Sequence, residues 1–165
     1  QGHHGLAAEL GHTTVQADGP LCGCGKPGHL ESYSSGTGIE RFVAEQLKAG
    51  RTSTLKVEDK NSAQAISEAA KSGDALSIEA YKLAGKYLGI GVANFLRAFD
   101  PSIVILGGGV SQSGSLLFDS FETSLKERII HPRYLEGLVI TRAELGDDAG
   151  LLGARALAEL KLGLE

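Results

Sequence analysis

The stretch Ser102-Ile-Val-Ile-Leu-Gly-Gly-Gly-Val110, SIVILGGGV, decides the fold class of this 165-residue chain. Residues 102–106 form a short, uninterrupted apolar run, which is typical of a strand buried on both faces of a parallel sheet. Gly107, Gly108 and Gly109 follow directly, at the end of a strand where open α/β sheets bind their ligands. Glycine amides can approach a phosphate or a flat base closely, but a tight turn without a ligand explains the run equally well.

The segments on either side of this strand alternate between helix and strand, which predicts an α/β fold. Upstream, an N-capping aspartate begins a long helix over roughly 74–98. Downstream, we expect a helix over roughly 113–129, a strand within 137–145 and a last helix that Asp147-Asp148 can cap.

The first third of the chain predicts less regular structure. Residues 13–17, TTVQA, indicate a short strand. Thr37-Gly-Ile-Glu40 reads as a capping box at the start of a helix that stops at Gly50. A further short helix is expected over residues 61–73, because an Asn-Ser pair can cap it and a glycine ends it.

Glycine is unusually frequent, at 23 of 165 residues, and it concentrates at 19–38, 85–91 and 107–109. Glycine serves where the backbone turns sharply or comes close to another group. The glycines inside the long helix therefore indicate close packing against a neighbouring element. The other two clusters indicate ligand-binding loops.

Composition excludes several classes of protein. The 42% of apolar residues and 22% of charged residues can form one ordinary domain with a core. The net charge of −4 argues against a nucleic-acid or anionic-membrane surface. No apolar run approaches the length of a membrane span, and the amino terminus lacks the pattern of a signal peptide. With two cysteines in all, the chain fits a reducing compartment, so we expect a cytoplasmic protein.

The second informative stretch is Cys22-Gly-Cys-Gly-Lys-Pro-Gly-His-Leu-Glu31, CGCGKPGHLE, which holds both cysteines. Together with His12, it offers four side chains of the types that zinc prefers: His12, Cys22, Cys24 and His29. Cys-x-Cys is tighter than the common Cys-x2-Cys spacing, and the glycines and proline let the chain wrap a small ion. The alternative is that the cysteines are small buried apolar groups and the histidines are solvated.

Two carboxylates flank the same loop. Glu9, His12 and Glu31 could together hydrogen-bond several hydroxyl groups, as a sugar or polyol requires. The alternative is that the glutamates are ordinary surface acids. His3 and His4 are interpreted as solvated loop residues. The sequence has no nucleophile elbow, no HExxH and no convincing Ser-His-Asp arrangement.

Taken together, these motifs resemble those of the ROK family of repressors, open reading frames and sugar kinases. The resemblance spans nearly the whole chain, and the motifs are specific in combination. The matching segments are Glu9-Leu-Gly-His12, Cys22 to Glu31, Asn94 followed by Asp100-Pro101, Leu106 to Gly109, and Asp147 to Ala154.

The resemblance implies an α/β fold, the C-terminal lobe of an actin-like ATPase (ribonuclease H-like) sugar kinase. Residues 1–165 would be a single lobe with a zinc loop at 12–31. The upstream phosphate loop, the Asn-Asp pair that carries the general base, and the G-T-G-x-G-G-G segment of family kinases do not occur in this sequence. We therefore expect no catalytic residue in this chain and no sugar phosphorylation by the chain alone.

The resemblance also implies roles for the candidate site residues. His12, Cys22, Cys24 and position 29 would bind a structural zinc, and His29 stands where the commoner family residue is cysteine. Glu9, His12 and Glu31 are similar to residues that hold sugar hydroxyls. Gly107, Gly108 and Gly109 are similar to the glycines on the nucleotide side.

The function implied is that of a glucokinase-like, ATP-dependent hexose kinase that uses ATP with magnesium and forms a homo-oligomer, a dimer or a tetramer. A kinase of this kind would bind neither nucleic acid nor membrane. The alternative is the effector-binding portion of a ROK transcriptional repressor, whose DNA-binding module would lie outside this chain.

Overall fold

The computed structural model describes residues 2–57 and 59–163, without the side chain of Asp147. The predicted capping role of that side chain therefore lies outside the described residues, and the other predicted cap, Asp148, makes no side-chain capping hydrogen bond to the last helix. The described chain contains six α-helices and two β-strands: α1 Glu31–Ser34, α2 Gly36–Lys48, α3 Ala63–Lys71, α4 Ala75–Phe99, β1 Ile103–Leu106, α5 Ser115–Arg128, β2 Val139–Arg142 and α6 Ala149–Leu162. None of the described helices has the length and hydropathy needed to cross a bilayer.

Hydroxyl and carboxylate caps set where the first long helices begin. The Ser35 hydroxyl accepts from the Gly38 N–H at 3.1 Å, so α2 begins at Gly36 and the predicted Thr37 cap is wrong by two residues. Thr37 instead shares a hydrogen bond with the Ser35 hydroxyl at 2.9 Å. Ser62 caps α3. Asp74 caps α4, as the sequence predicts.

The glycines of α4 lie where other elements approach its backbone closely, which confirms their predicted packing role. Gly85 faces the Leu117 carbonyl of α5, and a Cβ at Gly89 would lie 2.6 Å from the Ser124 side chain. A Cβ at Gly91 would lie 2.6 Å from Leu30, the residue that precedes α1. Because these positions lack side chains, α5 and the loop that leads into α1 can pack directly against the backbone of α4.

The two strands form a parallel pair, with Ile103 opposite Val139 and Leu106 opposite Arg142. The chain connects β1 to β2 through α5, as parallel strands require. The predicted strand at 13–17 is wrong, because that segment makes only an isolated bridge between Thr14 and His29. Its backbone groups bond to the loop that follows instead of to a sheet.

The core has two parts, both on the side of the sheet that carries the helices. One lies among α2, α3 and α4, and the other lies among α4, α5 and the strands. Val104 and Leu106 pack against the second part. Ile103 and Ile105 are 47% and 59% exposed, so the prediction of a strand buried on both faces is wrong for the described residues. Helices α4 and α5 cover one face of the sheet and leave the other open.

Candidate functional site

The loop at residues 13–30 is held by backbone hydrogen bonds that bring its two ends together. The Leu30 N–H donates to the Thr13 carbonyl at 2.9 Å, and the Val15 N–H donates to the Gly28 carbonyl at 2.8 Å. Gly28 has a φ of +70°, and any Cβ there would collide with the Gln16 carbonyl oxygen. Only glycine fits at this crossing, so the sequence itself dictates the loop closure.

A tight turn inside this loop presents both cysteines. The Gly25 N–H donates to the Cys22 carbonyl at 2.9 Å, and the Cys22 N–H donates to the Lys26 carbonyl at 2.9 Å. Gly25 has a φ of +85°, a conformation that favours glycine. The turn places the two thiol groups near the imidazole rings of His12 and His29, whose centroids are 5.3 Å apart.

The ligating atoms of His12, Cys22, Cys24 and His29 all lie within 4.8 Å of one another. Cys22 Sγ is 3.6 Å from His12 Nδ1, and Cys24 Sγ is 3.2 Å from His29 Nδ1. A tetrahedron of ligands at zinc–sulfur and zinc–nitrogen distances has edges of about 3.6 Å. The structure thus brings the four predicted residues together at separations that suit one tetrahedral ion.

The donor set also fits zinc chemically. Two thiols and two imidazoles, four ligands with no open position, form the kind of closed site that zinc uses for structure. Cys22 and His29 are 4% and 8% exposed. Cys24 is exposed, and its Sγ lies 3.2 Å from His29 Nδ1. The alternative interpretation, in which both cysteines are buried apolar groups, therefore does not describe Cys24.

The three predicted hydroxyl-binding residues lie on the solvent side of this cluster. Glu9 Oε2 is 3.8 Å from His12 Nε2, and Glu31 Oε1 is 3.8 Å from Cys22 Sγ. The side chains of Glu9 and His12 are 69% and 34% exposed, and Glu31 is exposed as well. Two carboxylates and one imidazole are therefore free to meet a polar ligand beside the candidate metal site.

Side chains that the sequence analysis missed hold α1, and with it Glu31, in place. Leu30 is buried in the space left by Gly91 of α4. Arg41 Nη2 donates to the Ser32 carbonyl at 2.9 Å. No local pattern marks these residues, because their role arises from contacts between separate elements.

A stacked tyrosine pair supports the same helix. The rings of Tyr33 in α1 and Tyr87 in α4 lie 3.6 Å apart at 18°. Burial, together with the neighbouring Tyr87 hydroxyl, raises the pKa of Tyr33 to about 12. The stacked ring of Tyr33 therefore packs α1 against α4.

The glycine run after β1 borders a separate cavity of about 540 Å³. Gly108 has a φ of +86°, and Gly107 to Gly109 are exposed. The opposite wall comes from α3, with Ser67 and Lys71 among the lining residues. The run is thus both a turn and one side of a concave surface, so the structure gives room for a ligand beside it.

Comparison with known proteins matches nearly the whole chain to one family. Residues 1–161 match the ROK family. The glucokinase of Streptomyces coelicolor is 35% identical over 169 residues, which cover 96% of this chain and 52% of that protein. The chain therefore spans about half the length of the curated relatives it matches.

Solved structures agree with this comparison. A ROK family glucokinase from Streptomyces griseus, in complex with glucose and AMPPNP, is 35% identical, with a TM-score of 0.75 over 93% of this chain and 51% of that one. A ROK family transcriptional regulator, a homologue of the E. coli MLC protein, is 33% identical, with a TM-score of 0.76 over 86% of this chain and 36% of that one. Both kinases and regulators thus share the fold described above.

Proposed function

The chain belongs to the ROK family and has the actin-like ATPase fold of its glucokinases, and from this premise we propose that it is the sugar-recognising part of an ATP-dependent hexose kinase. The observation that carries the proposal is a chain of close contacts at the four-ligand cluster: Glu9 lies beside His12, His12 beside Cys22, and Cys22 beside Glu31. The chain would form the C-terminal lobe of a protein whose other lobe supplies the phosphate loop and the general base.

Zinc would not contact the sugar; it would hold the loop whose side chains bind the sugar. With Nδ1 of His12 turned toward the cluster, Nε2 faces Glu9 and is free to donate to a hydroxyl. Carboxylates of Glu9 and Glu31 would accept hydrogen bonds from neighbouring hydroxyls, and such charge-assisted bonds are among the stronger ones. The metal would thus hold His12 and, through Cys22, the segment leading to Glu31 in one geometry.

The nucleotide would bind on the other side of the chain. The exposed amides of Gly107 to Gly109 suit a phosphate, and the cavity beside them has room for a base. When bound, ATP with magnesium supplies the phosphoryl group that is transferred to the sugar. This chain contributes binding surfaces for the two substrates, so we expect no turnover without the other lobe.

The proposal is tested by measuring hexose binding to the zinc-loaded chain by calorimetry. Glu31→Gln removes one charged acceptor, and we expect it to weaken binding by about 10-fold or more, because hydrogen bonds to charged groups contribute about 1.5–3 kcal/mol. The control is Glu122→Gln, an exposed helix position that pairs only with Lys126 among the described residues. Equal weakening by both variants, or none by Glu31→Gln at unchanged zinc content, would contradict the assignment.

The similarity to a ROK transcriptional regulator supports a second candidate function, the effector-binding portion of a repressor. The two functions differ at the glycine run, because a kinase needs a nucleotide there and a repressor does not. For a kinase we expect saturable AMPPNP binding that Gly108→Val abolishes while hexose binding persists. Measured on a protein that carries both lobes, hexose binding without any AMPPNP binding would favour the repressor. In either case we propose a cytoplasmic homo-oligomer, a dimer or a tetramer.

A further inference from the structure

The two thiols of the chain lie together in the four-ligand cluster. Cys22 and Cys24 are the only cysteines in the sequence, and both are free thiols. Their Sγ atoms lie within 4.8 Å of each other and of a ring nitrogen of both His12 and His29. Each sulfur that this site can offer a metal ion therefore lies close to a second sulfur with which it can react.

The two thiols differ in their access to solvent. Cys22 is 4% exposed, and its Sγ lies 3.6 Å from His12 Nδ1 and 3.8 Å from Glu31 Oε1. Cys24 is exposed, and its Sγ lies 3.2 Å from His29 Nδ1. Because oxidation of a cysteine depends on its exposure, an oxidant that arrives from solvent reacts first with Cys24. Cys22 is then the buried neighbour that can complete a disulfide.

The turn that carries the thiols can adjust to bring the two sulfurs together. A disulfide requires sulfurs about 2.0 Å apart, so the pair has to move. Gly23 lies between the cysteines and Gly25 follows them, and both are exposed. Apart from chain neighbours, no heavy atom lies within 4 Å of where a Cβ would stand at either glycine. The backbone on both sides of Cys24 can therefore rotate without displacing a packed group.

We propose that Cys24 and Cys22 are a peroxide-sensitive pair, and that their oxidation to an intramolecular disulfide removes both sulfur ligands from the candidate metal site at once. First, hydrogen peroxide transfers an oxygen to the Cys24 sulfur, its O–O bond breaks, and a sulfenic acid and one water form. The Cys22 sulfur then attacks the Cys24 sulfur, and the sulfenic hydroxyl leaves with the Cys22 proton as a second water. The two sulfurs lose two electrons, which the peroxide takes up.

The disulfide leaves His12 and His29 as the remaining members of the four-ligand cluster. The thiolate is the form of cysteine that binds a metal, and a disulfide sulfur is no longer one. A structural zinc site uses four ligands, so two imidazoles alone do not retain the ion. The segment that leads to Glu31 then loses its fixed geometry. A resulting loss of hexose affinity rests on the proposed function, whereas the oxidation itself does not.

The position of the pair suits a reversible modification better than a permanent cross-link. The loop at residues 13–30 is already closed by its backbone, with the Leu30 N–H 2.9 Å from the Thr13 carbonyl. A disulfide across a single residue closes a very short loop and therefore adds little stability. Strained or exposed disulfides are also the ones that are reduced readily. A dithiol should therefore return the pair to its metal-binding form.

The test treats the zinc-loaded chain with increasing amounts of hydrogen peroxide and follows protein mass and released zinc together. We expect a monomer that is lighter by about 2 Da, the mass of the two thiol hydrogens, and one zinc released for each chain oxidised. Peptide mapping should locate the disulfide at Cys22 and Cys24. Dithiothreitol with added zinc should restore both the mass and the metal content.

Two serine variants separate the roles of the thiols. In Cys22→Ser we expect oxidation to stop at a sulfenic acid on Cys24, which dimedone traps, because no second thiol is present. In Cys24→Ser we expect peroxide to consume Cys22 at least about 10-fold more slowly, because Cys22 is buried. Both variants are compared without metal, so that weaker zinc binding does not affect the rates. Circular dichroism checks that each variant is folded, and the mass shift of the wild type does not depend on either variant.

Four outcomes would overturn the proposal. The first is a disulfide-linked dimer, and the second is a wild-type product that is only heavier, by about 16 or 32 Da, with no disulfide. The third is zinc retained by a chain whose mass shows the disulfide. The fourth is equal oxidation rates for the two single thiols, which would contradict the assigned order. Hexose calorimetry of the untreated chain separates these results from a failure of the proposed function, since the mass and zinc readouts need no sugar.

Discussion

At the scale of single residues, His29 decides the chemistry of the candidate metal site. Its Nδ1 lies 3.2 Å from Cys24 Sγ, and its side chain is buried. The candidate ligand set is therefore two cysteines and two histidines, and histidine ligates zinc well.

Replacing His29 tests this ligand set directly. In His29→Ala we expect zinc affinity to fall by more than about 100-fold, since even residues that only support a ligand affect affinity by 10- to 100-fold. Loss of zinc should also lower the melting temperature, because metal binding stabilises the folded loop. Zinc content by atomic absorption and a thermal melt provide the two measurements.

His131→Ala is the control for this experiment, because His131 is exposed and its Nδ1 accepts from its own turn, at Arg133 N–H. It should retain one zinc per chain, and its melting temperature should fall by less than that of His29→Ala, because only one exposed hydrogen bond is lost. A wild-type chain without zinc, or a His29→Ala variant that holds as much as wild type, would show that the ligand set is wrong.

At the scale of elements, Asp74 joins α4 to the loop before α3. One carboxylate oxygen accepts from the Ser77 N–H at 2.9 Å and caps the helix, and the other accepts from the Thr54 N–H at 2.7 Å. Burial by itself would raise the pKa of Asp74, but these hydrogen bonds lower it to about 2. The carboxylate therefore stabilises the helix that carries Gly91 and Tyr87 beneath the candidate site.

The lowered pKa predicts how stability depends on pH. Because the folded pKa is about 2 and the unfolded value is about 3.9, the contribution of Asp74 is complete above about pH 4 and is lost as the pH falls toward 2. Two pKa units correspond to about 2–3 kcal/mol. Asp74→Asn should lower the free energy of unfolding by about that amount at pH 7.

Urea unfolding at several pH values measures this effect. Wild type should lose stability between pH 4 and pH 2, and Asp74→Asn should show a flatter profile across the same window. Asp119→Asn, at an exposed position of α5, is the matched control and should follow wild type. Parallel profiles for wild type and Asp74→Asn would contradict the assigned role of the carboxylate.

At the scale of the whole molecule, the two candidate binding regions are built in different ways. The loop at residues 13–30 closes on itself through its own backbone hydrogen bonds and rests on α4 through Leu30. The glycine run lies at the end of a strand whose second face is open. The metal loop therefore has its own support, whereas the glycine run borders a sheet face that the described residues leave uncovered.

Local interactions explain why much of this was predictable from the sequence. Helices α2, α3 and α4 begin at hydroxyl or carboxylate caps and continue through periodic apolar positions, and both signals lie within a few residues of each other. The ligand set was also predictable, because glycines such as Gly25 and Gly28 force the turns that gather the four side chains.

Contacts between distant residues explain what the sequence could not show. TTVQA has the composition of a strand, yet the Val15 N–H donates to the Gly28 carbonyl inside the closed loop instead of to a neighbouring strand. The SIVIL run predicts a strand that is buried on both faces of the sheet. Only the tertiary structure shows that α4 and α5 cover one face and leave Ile105 exposed to water. The sequence by itself determined most of the helices and the grouping of the four candidate ligands, through short-range sterics and capping. Tertiary structure alone decided which surfaces are covered, because burial depends on partners far away in the chain.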